Sequence, residues 1–142
     1  MPLENFGSIL NFAEELENQD KAFYEIVAKN PKCSDHKDVF EAFAADAAKN
    51  IKTIQRTRRE NVTEMILEPI RDFTREPFCE ECQEADAYGA NEALEAARRL
   101  EARADRYYTE AARKIKALPE VARAFKLLSK KRKSNIEKLA GL

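Results

Sequence analysis

The 142-residue chain has no tryptophan and holds one histidine, three cysteines, three glycines and five prolines. So few glycines and prolines argue against the repeated tight turns of an all-β sandwich. An odd cysteine count argues against a secreted disulfide framework. No run approaches the roughly 18 apolar residues of a membrane span, and Met1-Pro2-Leu3-Glu4-Asn5-Phe6 lacks the basic region and apolar stretch of a secretory signal. An excess of either charge is missing as well. Lys and Arg number 25 against 26 Asp and Glu, a net charge of -1, so no global field draws the chain to nucleic acid or to a membrane. A cytoplasmic protein, with thiols reduced or metal-bound, is the expectation. What is present is 44% hydrophobic and 36% charged residues, enough for one domain over residues 1–142 with a core and a heavily solvated surface.

The periodicity is helical almost throughout. A first helix is predicted from about Phe6 to Lys29, with Ile9, Leu10, Ala13, Leu16, Phe23 and Tyr24 on one face, ended by Asn30-Pro31. A second begins after Ser34 or Asp35, either of which can cap it, buries Phe40, Phe43, Ala47 and Ile54, and extends past Arg59 toward Ile66. A third runs from about Asn91 to Ala117 and a fourth from Glu120 to about Leu139, separated by Leu118-Pro119. The loops are short, long and short, the long one covering about 68–90. Two antiparallel hairpins joined by a long crossover form the ferritin-like variant of the all-α four-helix bundle.

The two halves repeat. Leu10, Glu17 and Tyr24 share their heptad spacing with Leu94, Glu101 and Tyr108, and Phe40, Ala47, Asn50 and Ile51 align with Phe125, Arg132, Asn135 and Ile136. Glu17 and Glu101 therefore occupy equivalent positions on apolar faces. Lone core carboxylates are costly unless paired or metal-bound, so either the helices rotate them to the core edge or something neutralises them.

With these features the chain resembles the rubrerythrin-like branch of the ferritin-like superfamily. The resemblance implies a bridging glutamate from each of the first and third helices, Glu17 and Glu101 by position, with Tyr24 and Tyr108 beside them. It also implies a Glu-x-x-His unit from each of the second and fourth helices, facing two irons. At those units this chain reads Ala47-Ala48-Lys49-Asn50 and Arg132-Lys133-Ser134-Asn135. Two of six ligands remain, and Ala, Arg and Asn do not replace the rest, so a di-iron cofactor is not expected. Arg132 offers a substitute: a guanidinium bridging Glu17 and Glu101, with Asn50 and Asn135 donating amide N–H groups. The alternative is that Arg132 extends outward along the bundle.

The cysteines and the histidine pair at matched spacing, Cys33-Ser34-Asp35-His36 and Cys79-Glu80-Glu81-Cys82. A crossover would return the second pair toward the first, so Cys33, His36, Cys79 and Cys82 are a candidate structural zinc set. A Cys79–Cys82 dithiol switch and free thiols are the alternatives; Glu80, Glu81 and Glu84 oppose a reactive thiolate. Lys126, Lys130, Lys131, Arg132, Lys133 and Lys138, with Lys49, Lys52, Arg56, Arg58 and Arg59, read as solvated helix faces; a basic stripe for nucleic acid is the less favoured alternative, since acidic residues balance the chain overall. The expected function is a binding or structural module, with a second copy of the chain (a dimer) or another protein as partner. The opposing expectation is an oxidoreductase, acting through a bundle metal or through Cys79 and Cys82.

Overall fold

The computed structural model describes residues 3, 5–61, 73–82, 84–116 and 118–142. Four long helices account for most of them: α1 (Phe6–Lys29), α2 (Lys37–Glu60), α3 (Ala90–Lys114) and α4 (Pro119–Ala140). The described residues include no β-strand. No helix among them is long and apolar enough to cross a membrane.

The ends of the helices follow from local chemistry. Asn5 caps α1, its side chain accepting from the Ser8 amide at 2.8 Å while Ser8 Oγ accepts from the Asn5 amide, so two orphan donors are satisfied reciprocally. Asn30, held extended before Pro31, ends it. The predicted Ser34 or Asp35 cap of α2 is not what forms. Asn30 instead starts a 3-10 turn over Pro31–His36 that runs directly into α2, and His36 precedes the helix without a capping bond. Asn30 wins because its side chain accepts from the Lys32 amide at 3.0 Å and Pro31 presets the turn. α2 ends at Glu60; the expected continuation toward Ile66 and the break at Pro69 lie outside the described residues. Pro119 opens α4, where its missing N–H costs little.

α1 packs along α2, and α3 along α4; smaller contacts join α1 to α3 and α2 to α4. Directions follow from the side-chain bonds. Gln55 and Arg58, late in α2, reach Glu14, early in α1. The Asn30 amide donates to the Tyr88 carbonyl at 2.7 Å, so α3 starts beside the turn between α1 and α2. Residues 73–82 and 84–89 lie over α1 and α3: Gln19 Nε2 donates to the Glu80 carbonyl at 2.6 Å, Arg103 to the Phe78 carbonyl at 2.8 Å, and Arg75 pairs with Glu15 at 2.6 Å.

The core divides along the bundle axis. One apolar cluster joins Leu10, Leu16, Ile54, Tyr107, Phe125 and Leu128. The other joins Phe23, Tyr24, Phe43, Leu94, Leu100 and Leu139. On every helix the residues between the two clusters are polar and buried: Glu17 and Asp20 on α1, Asn50 on α2, Glu101 and Arg103 on α3, Arg132 and Asn135 on α4.

Candidate functional site

That polar layer is built around one guanidinium. Arg132 is 2% exposed and its Nη2 donates to both carboxylate oxygens of Glu17 at 2.7 Å. Its Nη1 donates to Glu101 Oε2. A planar, permanently charged fork suits two carboxylates on opposite walls of a bundle. The same Nη2 lies 3.0 Å from Asp20 Oδ2. Burial opposes the charge on Arg132, but Glu101, Glu17 and Asp20 together more than offset it and hold the group protonated.

The amides complete the pattern. Asn50 Nδ2 donates to Glu17 Oε1 at 3.0 Å, and Asn135 Nδ2 to Glu101 Oε1 at 2.6 Å. Ala47, the repeat counterpart of Arg132, is buried and has no polar side-chain atom, so a single guanidinium serves both halves. The tyrosines break the symmetry. Tyr108 donates to Glu17 Oε1 at 2.8 Å, whereas the Tyr24 hydroxyl, equally buried, has no hydrogen-bond partner among the described residues. Tyr107 donates instead to the Ile9 carbonyl at 2.7 Å.

Sequence reasoning missed a second pair in the layer. Asp20 Oδ1 accepts from Arg103 Nη2 at 2.5 Å, with both side chains within 1% of full burial. A signal existed: Asp20 stands three residues after Glu17 and four before Tyr24, on the same helical face. Arg103 also reaches the Phe78 carbonyl, linking the layer to the segment over α1 and α3. The layer thus holds three carboxylates against two guanidiniums. Burial raises Asp20 from its ordinary 3.8 to about 7, with Arg132 and Arg103 pulling the other way. Burial also raises Glu101.

Of the six positions at which the family resemblance places iron ligands, Glu17, Asn50, Glu101, Arg132 and Asn135 meet in this layer. They do not fit two irons. The lone pairs of Glu17 and Glu101 point at guanidinium and amide hydrogens, and the cation at the centre is covalently part of α4.

Cys33, His36, Cys79 and Cys82 do not form the expected quartet: among the described residues, no three His, Cys, Asp or Glu side chains are grouped to hold a metal ion. Cys33 is buried under the turn after α1, its thiol 3.8 Å from the Tyr88 carbonyl. Cys79 is exposed and donates to the Arg75 carbonyl at 3.3 Å. Cys82 packs half-buried against the second apolar cluster, and His36 lies edge-on to Phe40. The physical reason is that hydrogen bonds from Gln19, Arg103 and Asn30 already fix this segment. Burial raises the Cys33 and Cys82 thiols, which disfavours the reactive thiolate. The chain matches no known protein family, no curated protein and no solved structure.

Proposed function

We propose that the chain is a ferritin-like four-helix bundle of the rubrerythrin-like type, in which a buried ion layer stands where that family holds two irons, and that it works as a binding module and not as a di-iron oxidoreductase. The observation that carries this reading is the Arg132 guanidinium between Glu17 and Glu101. Six ligands around two irons answer four or more positive charges; here one cation and two amides answer the same pair of carboxylates. The crossover reading is supported by the ends of the helices: the last turns of α2 lie beside the start of α1, while α3 starts beside the turn that follows α1.

Iron titration tests both parts. With Fe(II) added anaerobically and then exposed to air or peroxide, the wild-type chain is expected to show no stoichiometric ferric absorbance and no peroxide consumption. Two bound equivalents with peroxide turnover overturn the reading. A variant restoring the absent ligands, Ala47→Glu/Asn50→His/Arg132→Glu/Asn135→His, is expected to gain iron binding. A folded variant that binds none overturns the ferritin-like geometry while leaving the ion layer intact as an observation.

A further inference from the structure

The near-zero net charge hides a segregation that the fold makes visible. Residues 76–89 carry five acidic residues and no basic one, and the described stretches 76–82 and 84–89 lie over α1 and α3. Apart from the buried Arg132, α4 carries six basic residues against two acidic ones, and α2 carries six against four. Because α1 packs on α2 and α3, and α4 on α3 and α2, the α2/α4 face is on the opposite side of the bundle from the acidic segment.

Most basic residues of this face are exposed without an ion-pair partner, while Arg56, Arg123 and Lys133 pair with Glu60, Glu120 and Asp105. On α2, Lys49, Lys52, Arg56 and Arg59 are exposed at spacings of three, four and three, one stripe about 15 Å long. On α4, Arg123, Lys126, Lys130 and Lys133 repeat those spacings. Lys49, Lys52, Arg59, Lys126, Lys130 and Lys131 have no ion-pair partner among the described residues, and neither has Lys138. Two grooves lie beside the stripes. Between α2 and α4 one of about 270 Å³ sets Lys49, Lys131 and Lys138 against a single carboxylate, Asp46. Between α3 and α4 one of about 550 Å³ is lined by Arg113, Lys116, Lys126, Lys130 and Lys133, with the Thr109 and Ser129 hydroxyls already bonded to Asp105.

We propose that the α2/α4 face, with the groove between α3 and α4 at its flank, binds the phosphate backbone of double-stranded nucleic acid without reading its sequence. Charge complementarity argues for a polyanion, since exposed lysines and arginines are the groups that contact phosphate oxygens. No aromatic side chain lines either groove, so unpaired bases find nothing to stack on and a single strand is not the fit. Leu127 is the one large exposed apolar side chain on α4, too little for the apolar face of a helix that docks on a lipid surface. A second copy offering its acidic side would make a head-to-tail contact that propagates into open chains unless a rotation closes it.

The test is fluorescence anisotropy with a labelled random-sequence duplex of about 20 base pairs, titrated with the full chain at several salt concentrations. Engagement of about four or five phosphates gives a slope near -4 in log K against log salt, a loss of roughly 10²-fold between about 50 and 200 mM. Lys126→Glu/Lys130→Glu and, separately, Lys49→Glu/Lys52→Glu are expected to weaken binding at least about tenfold and to flatten the slope, since each removes two of the counterion-releasing contacts. Circular dichroism and melting confirm that these exposed substitutions leave the fold intact, and Lys→Gln at the same positions serves if a reversal does not. Absent or salt-independent duplex binding overturns the proposal, as do folded variants that bind like wild type. Tighter binding to phosphatidylserine vesicles, to a polyglutamate peptide or to a single strand than to the duplex also overturns it.

Discussion

At the scale of the residue, Arg132 is the position on which most depends. Removing its guanidinium leaves Glu17 and Glu101 buried without a counter-charge, which is far more damaging than replacing the whole group by apolar residues. Arg132→Met is expected to cost roughly 3–5 kcal/mol in urea denaturation, and Glu17→Gln/Glu101→Gln/Arg132→Met to recover at least half of that. A small loss in the single variant would show that the layer is not closed to water. The two tyrosines give a sharper comparison because their burial is alike and their bonding is not. Tyr108→Phe removes a donor to a carboxylate and is expected to cost about 1.5–3 kcal/mol, while Tyr24→Phe removes an unpartnered hydroxyl and is expected to be neutral or stabilising. Equal losses would contradict the asymmetry. Glu17 and Glu101 were legible because the repeat put a charge at the same place on two apolar faces. Arg132 was legible because it shares a register with Ala47. Asp20 was marked only by its helical spacing from Glu17 and Tyr24 and Arg103 not at all, since their repeat counterparts are Ala104 and Gln19 and no pairing of halves points to them.

At the scale of the element, helix extents came close to the periodic pattern: α1 coincides with it, and α3 and α4 differ only at their ends. Where the pattern failed was in non-periodic chain. Stretches such as 73–82 and 84–89 are placed by backbone carbonyls that accept from distant side chains, and a carbonyl leaves no mark in the sequence. Asn30 shows the economy of the arrangement: one amide group caps the turn after α1 and donates to Tyr88 and Ala85. Asn30→Ala is expected to destabilise the protein by about 1–3 kcal/mol, since it strands buried carbonyls. The effect should be local at first. Hydrogen exchange should quicken at the amides of Ala87 and Tyr88, now bonded to Glu84 and Ala85 at 2.9 and 3.2 Å. Unchanged exchange there would show that burial of Ala85, and not Asn30, holds the segment.

At the scale of the whole molecule, a layer with three carboxylates and two guanidiniums makes stability depend on pH. Folding raises Asp20 from 3.8 to about 7, so the native state holds its proton more tightly than the unfolded chain does. The benefit is complete below about pH 4, declines as the unfolded carboxyl ionises first, and is gone above pH 7; the raised Glu101 acts in the same direction. Urea denaturation is expected to show lower stability at pH 8 than at pH 5, with a slope of up to about 1.4 kcal/mol per pH unit for one proton. Asp20→Asn should flatten that slope. A wild-type chain whose stability rises over the same range would mean that Asp20 ionises in place, fully compensated by Arg103 and Arg132.

The sequence by itself determined the helices, their order and the presence of charge on inward faces, because a 3.6-residue period and a broken period are properties of neighbouring residues. Tertiary structure decided what those charges meet. Arg132 and Glu17 are 115 residues apart, and only packing brings them into one layer. It also decided which sides of the molecule carry the surplus charges, a matter that composition averages away. Cys33, His36, Cys79 and Cys82 show the converse: equal spacing along the chain does not by itself bring side chains together in space.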